Sequence, residues 1–74
     1  MSKPTRITNS IRALRFARGE MTQAELAQRI GVTRQTIIAI EQGRYSPSLE
    51  VAFQIARVLK VPLDDVFQYP EGDA

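Results

Sequence analysis

The chain has 74 residues, no cysteine, no histidine and a formal net charge of +2. That length predicts one domain spanning 1–74, small enough that folding buries only about 60% of the unfolded chain's surface. The missing residue types exclude disulfides, the usual zinc ligand sets and the usual nucleophile–base pairs of enzymes.

No apolar run approaches the roughly 18 residues of a membrane span. The opening MSKPTRITNS has no apolar stretch of the signal-peptide kind. A soluble, cytoplasmic protein is therefore expected, with no membrane partner, cofactor, metal or small-molecule ligand. The one close acid pair, Asp64-Asp65, reads as a match to a helix dipole, so catalysis is not expected. Charge is segregated. Residues 1–44 carry eight bases and three acids, and residues 45–74 carry two bases and five acids. A positive front and a negative back suit a polyanion on one side. Ordinary surface charge that happens to segregate is the plainer alternative.

In chain order, Arg6-Ile7-Thr8 reads as a short extended segment, and Thr8 or Asn9 can cap a first helix running to about Arg18. Ile11, Leu14 and Ala17 are its expected buried stripe, with Arg12, Arg15 and Arg18 beside it. Phe16 falls off the stripe, which leaves partial exposure or a partner contact open. Gly19 ends the helix. The second helix starts at a capping box, Thr22-Gln23-Ala24-Glu25, with Met21 placed to staple onto Leu26. Leu26, Ala27 and Ile30 face inward, and Gly31 closes it. Val32 lies in the turn, and Thr33 caps a third helix from Arg34 to about Gln42, with Ile37 and Ile40 inward and Gly43 as its stop. Pro47 opens a fourth helix, carrying Leu49, Ala52, Ile55, Ala56 and Leu59 at core spacing and Phe53 on its flank. Val61-Pro62 breaks it. Leu63 to Phe67 forms a one-turn fifth helix, and Gln68-Tyr69 is extended. The fold class is all-α, five helices, and the two ends could additionally pair as a small antiparallel ribbon.

The stretch Thr22–Gly43 carries the chemistry. A helix fits the major groove of DNA, where base edges present distinguishable donors and acceptors. Arg34 and Gln35 open the third helix, followed by Thr36. Arginine is the common bidentate partner of guanine and glutamine of adenine. Ile38 and Ala39 could touch a thymine methyl, although Ile38 could instead pack on the fourth helix. Gln23 sits where a side chain and helix amides can take a phosphate. Arg44 and Tyr45 follow the third helix at the place for a second one. Singly, each polar residue is more often ordinary helix surface; it is the constellation that points to DNA.

The pattern T-Q-x-E-L-A-x-x-x-G-V-T-R-Q-T-I-x-x-I-E-x-G, at Thr22–Gly43, resembles the helix-turn-helix of the Cro and phage-repressor (Xre) family. The similarity continues through Tyr45-Ser46-Pro47-Ser48-Leu49 and Val61 to Phe67, covering about residues 9–69. The two ends look most like the short cytolysin-repressor-like bacterial members. The resemblance implies a five-helix lambda-repressor-like domain whose termini pair as a ribbon and which acts as a homodimer. Residue by residue, it implies a phosphate contact at Gln23 and a groove-facing set of Thr33, Arg34, Gln35, Thr36, Ile38, Ala39 and Gln42. It also implies backbone contacts at Arg44 and Tyr45, and a structural Arg15–Glu41 pair. Some members carry glutamine where Arg34 stands and a longer polar residue where Ala39 stands, so their base preferences do not transfer.

A domain of this size covers about half a site, and two recognition helices roughly 34 Å apart would meet successive major grooves of an inverted repeat. The expected dimer surface is Val58, Leu63, Val66 and Phe67, unless these are intramolecular core. A sequence-specific regulator, acting as a repressor, is the reading adopted. The rival is an antitoxin that also binds its own promoter, using Phe16, Tyr69 and the exposed side of the fourth helix to hold a toxin.

Overall fold

The computed structural model describes residues 5–44 and 46–70. A short strand β1 (Thr8–Asn9) leads into α1 (Ile11–Ala17), α2 (Gln23–Ile30), α3 (Arg34–Glu41), α4 (Leu49–Leu59) and α5 (Leu63–Val66). Strand β2 (Phe67–Gln68) then returns antiparallel to β1. The class is all-α with five helices and a two-stranded ribbon at the paired ends.

Local chemistry sets most helix starts. The Thr22 hydroxyl accepts the Glu25 amide at 3.0 Å, and the Glu25 carboxylate accepts the Thr22 amide at 2.8 Å, which completes the expected capping box. Thr33 caps α3 through the Thr36 amide at 3.2 Å. At α4 the cap is Ser48, whose hydroxyl accepts the Val51 amide at 3.2 Å. Pro47 therefore precedes the cap instead of occupying the first helical position. At α1 the cap residue is Ser10 without a side-chain bond, and Asn9 instead takes the Ile11 amide on its side-chain oxygen at 3.2 Å.

The core is a single cluster. Ile11, Leu26, Ile37, Ile55, Leu59 and Val66 are fully enclosed, and Met21, Ala27, Ile30, Ile40 and Ala56 complete it. Each large apolar side chain so buried contributes about 1.5–3 kcal/mol. Helix α2 packs on both α3 and α4, and α4 on α5, whereas α3 has at most marginal contact with α4. This leaves the outer side of α3 largely clear of α4.

Two core expectations do not hold. Ala17 is exposed. At about 100° per residue, the step from Ile11 to Ala17 carries it off the inner face, and the i+4 residue Arg15 is the one turned inward. Leu49 is 69% exposed because α4 begins there and its first turn overhangs the core. Phe67 lies in β2 and not in α5, and the ribbon pairs Thr8 with Gln68 and Asn9 with Phe67, one residue later on the first strand than Arg6–Thr8 suggests. No helix among the described residues is long and apolar enough to cross a membrane.

Candidate nucleic-acid interface

The turn between α2 and α3 is three residues long. Gly31 closes α2 at φ +77°, a left-handed conformation that a side chain would strain. The Val32 amide then returns to the Ala27 carbonyl at 3.0 Å, and Val32 is half-buried against the core. The chain thus leaves α2 at a fixed angle and enters α3 directly at the Thr33 cap.

On α3, Ile37 and Ile40 point into the core, so the opposite row faces out. Arg34 and Gln35 are exposed at its start, Thr36, Ile38 and Ala39 are half-buried, and Gln42 is exposed at its end. The Thr33 and Thr36 hydroxyls lie 3.0 Å apart, so both are already engaged at the cap. Arg44 is exposed just beyond. Tyr45 lies outside the described residues.

The far end of α3 is held by a polar network. Arg15 donates from Nε to Glu41 Oε2 at 2.7 Å and from Nη2 to Glu41 Oε1 at 3.2 Å, with side-chain exposures of 9% and 10%. Its Nη1 donates to the Met21 carbonyl at 2.7 Å. Gln23 does not stand alone at the start of α2: its Nε2 donates to Glu41 Oε1 at 3.1 Å. From the ribbon, Asn9 Nδ2 donates to the Ile40 and Glu41 carbonyls at 3.0 and 3.4 Å. The Asn9 bonds reach the last carbonyls of α3, where the Ile40 oxygen also accepts the Gly43 amide at 3.0 Å. Nothing in local spacing announces the Gln23 and Asn9 contacts, since each spans a large stretch of sequence.

Between α1, the start of α2 and α3 runs a cleft of about 560 Å³. Arg12, Phe16, Gln23, Arg34 and Gln42 line it together with the Arg15–Glu41 pair. The structure thus brings Gln23, Arg34 and Gln42 to one cleft and adds Arg12, which motif matching passes over.

The four residues expected at a dimer surface separate. Val66 is fully enclosed by this chain's own core, because the chain returns over it into β2, and it is not available to a partner. Val58 is half-buried against the same core. Leu63 and Phe67 reach the surface in part, and they line an apolar groove of about 340 Å³ with Ile7, Pro47, Leu49 and Ala52.

The helix-turn-helix family profile matches residues 11–66. A helix-turn-helix-type transcriptional regulator of Methanothermobacter thermautotrophicus is 58% identical over 55 residues, 73% of this chain and 80% of the relative. The cryptic phage CTXphi transcriptional repressor RstR of Vibrio cholerae is 37% identical over 59 residues, 80% of this chain and 52% of its own length. A crystal structure from Bacteroides fragilis matches with a TM-score of 0.73 over 84% of this chain and 98% of its own. At 24% identity that likeness is one of fold.

Proposed function

The chain belongs to the helix-turn-helix family of transcriptional regulators, and on that premise we propose that it is a sequence-specific DNA-binding repressor acting as a homodimer on an inverted-repeat operator. The single observation that carries this reading is the outer row of α3, where Arg34 and Gln35 stand exposed at the start of a helix that packs on α2 and is scarcely covered by α4. In this role Arg34 and Gln35 read base edges, Ile38 and Ala39 meet thymine methyls, and Thr33, Thr36 and Gln42 complete the groove-facing row. Arg44 and Tyr45 hold the backbone beyond α3. Gln23 keeps one amide proton for a phosphate after donating the other to Glu41. RstR, named as a repressor, supports the sign of the regulation.

The homodimer is supported by the apolar groove. Leu49, exposed at its edge, has no structural gain from standing in water, and Leu63 and Phe67 extend the same patch. Selection of duplexes from a randomised library by the purified protein, followed by footprinting on the enriched sequence, tests the reading. An inverted repeat with half-sites about one helical turn apart is the expected result; enrichment of no sequence refutes it.

A second reading is favoured by a specific observation. Phe16, Phe53 and Tyr69 are each more than half exposed, at 53%, 54% and 64%. A regulator that also holds a toxin, as an antitoxin, would use such a surface, and a toxin gene beside its own would distinguish it.

A further inference from the structure

The cleft beside α3 holds more positive charge than the reading row accounts for. Its one carboxylate is Glu41, which is occupied by Arg15 and Gln23. Among the described residues Arg15–Glu41 is the only ion pair. Arg12 on the α1 wall and Arg34 on the α3 wall are therefore two cations facing one cleft with no carboxylate of the described residues paired to them.

Arg12 is also positioned. Its guanidinium carbon lies 5.8 Å from the centroid of the Phe16 ring, one helical turn along α1. An aromatic face steadies a guanidinium plane while leaving its N–H edge free to donate. This gives the exposed Phe16 a task that its place off the buried stripe does not: it supports Arg12 where a solvated side chain would wander. The cleft, at about 560 Å³, is open to solvent along the side where Arg12 and Arg34 stand.

We propose that Arg12 is a DNA-backbone anchor, donating from its Phe16-supported guanidinium to a phosphate of the strand adjoining the bases that face Arg34 and Gln35. The inference rests on the DNA-binding reading above and adds to it a contact from α1, outside the helix-turn-helix. Phosphate contacts set register and orientation, whereas base contacts specify sequence. Arg12 therefore affects all sequences alike.

The test uses the full chain and the duplex that it enriches from a randomised library, alongside a scrambled duplex of equal length. Affinity is measured between about 50 and 200 mM salt, the range over which phosphate contacts separate variants. Arg12→Gln is expected to flatten the dependence of log K on log salt by about one unit, equally on both duplexes. Arg12→Lys, which keeps the charge, retains the slope. Arg57→Gln, on the outer side of α4, also retains it. Arg12 is exposed, so its variants should melt with the wild type. A wild-type slope in Arg12→Gln overturns the inference and leaves the DNA-binding reading standing. An equal flattening in Arg57→Gln overturns it too, because the effect would then be net charge. A wild-type chain that enriches no duplex overturns the reading beneath it and the inference together.

Discussion

Replacing Glu41 by alanine removes one carboxylate and breaks three hydrogen bonds, two from Arg15 and one from Gln23. The Arg15 side chain is 9% exposed, and it retains only the Met21 carbonyl as partner. Leaving one member of a buried pair uncompensated costs about 3–5 kcal/mol. A domain of this length holds only about 4–11 kcal/mol in total, at roughly 0.05–0.15 kcal/mol per residue. The better helix propensity of alanine returns no more than about 0.5 kcal/mol. Glu41→Ala should therefore lower the melting temperature by about 10 °C or more, at about 4–8 °C per kcal/mol for this size. The double variant Arg15→Met/Glu41→Leu should recover most of that loss, since removing both charges also removes the burial penalty. Urea unfolding followed by circular dichroism, with unchanged m, gives the double-mutant cycle. A loss below about 1 kcal/mol for the single variant, the range of exposed pairs, would refute the reasoning. So would a double variant as unstable as the two singles summed.

Four further outcomes are expected. Arg34→Ala should cost about 1–3 kcal/mol at one base pair and relax preference there, whereas Arg44→Ala should weaken all duplexes alike; competition binding against single-base variants separates the two. The Thr22 backbone N–H, and then its hydroxyl, hold the Glu25 carboxyl below its ordinary value. A folded value below the unfolded one adds stability above about pH 4.3 that is lost as pH falls past the depressed value. The stability gap between wild type and Glu25→Gln should accordingly shrink on acidification, as pH-dependent urea midpoints would show. Lys60 closes α4 at φ +61°, so Lys60→Gly should raise the urea midpoint by about 0.5–1 kcal/mol in stability, the relief of left-handed strain less the entropy of glycine. Leu49→Glu should shift sedimentation from dimer to monomer while leaving the monomer's fold intact, since Leu49 is 69% exposed.

What could be read from the chain before its structure depended on the range of the interaction. The limits of α2 were legible because both signals are local: a hydroxyl and a carboxylate three residues apart at one end, a left-handed glycine at the other. The start of α4 was not, because Pro47 and Ser48 are both start signals and only the hydroxyl's bond to Val51 decides between them. Ala17 misled because an i, i+3, i+6 series rotates away from a face that i, i+3, i+4 keeps. Val66 misled for another reason: α5 is four residues long, and whether its apolar side meets the core or a partner depends on where the chain returns. The outward row of α3 could be assembled from helical spacing, since Ile37 and Ile40 mark the inner side. Arg12 could not, since its place in one cleft with Arg34 is a matter of how α1 docks.

The two ends of α3 are held by different means, and this bears on how it could read DNA. Its inner side is fixed by Ile37 and Ile40, which set its rotation about its own axis. Its C-terminal end is tied by Asn9 from the ribbon and by Arg15 and Gln23 through Glu41. Among the described residues its N-terminal end is held by the Thr33 cap and the three-residue turn, and that is the end bearing Arg34 and Gln35. A rod fixed in rotation and clamped at its far end presents its free end at a defined height and angle. The long side chains there can then adjust to a base edge without the helix axis moving. The same clamp joins α3 to the rest of the domain: Asn9 pairs with Phe67 in the ribbon, and Phe67 lines the apolar groove proposed for the second subunit. Asn9→Ala should therefore weaken discrimination between matched and mismatched operators more than it weakens non-specific binding.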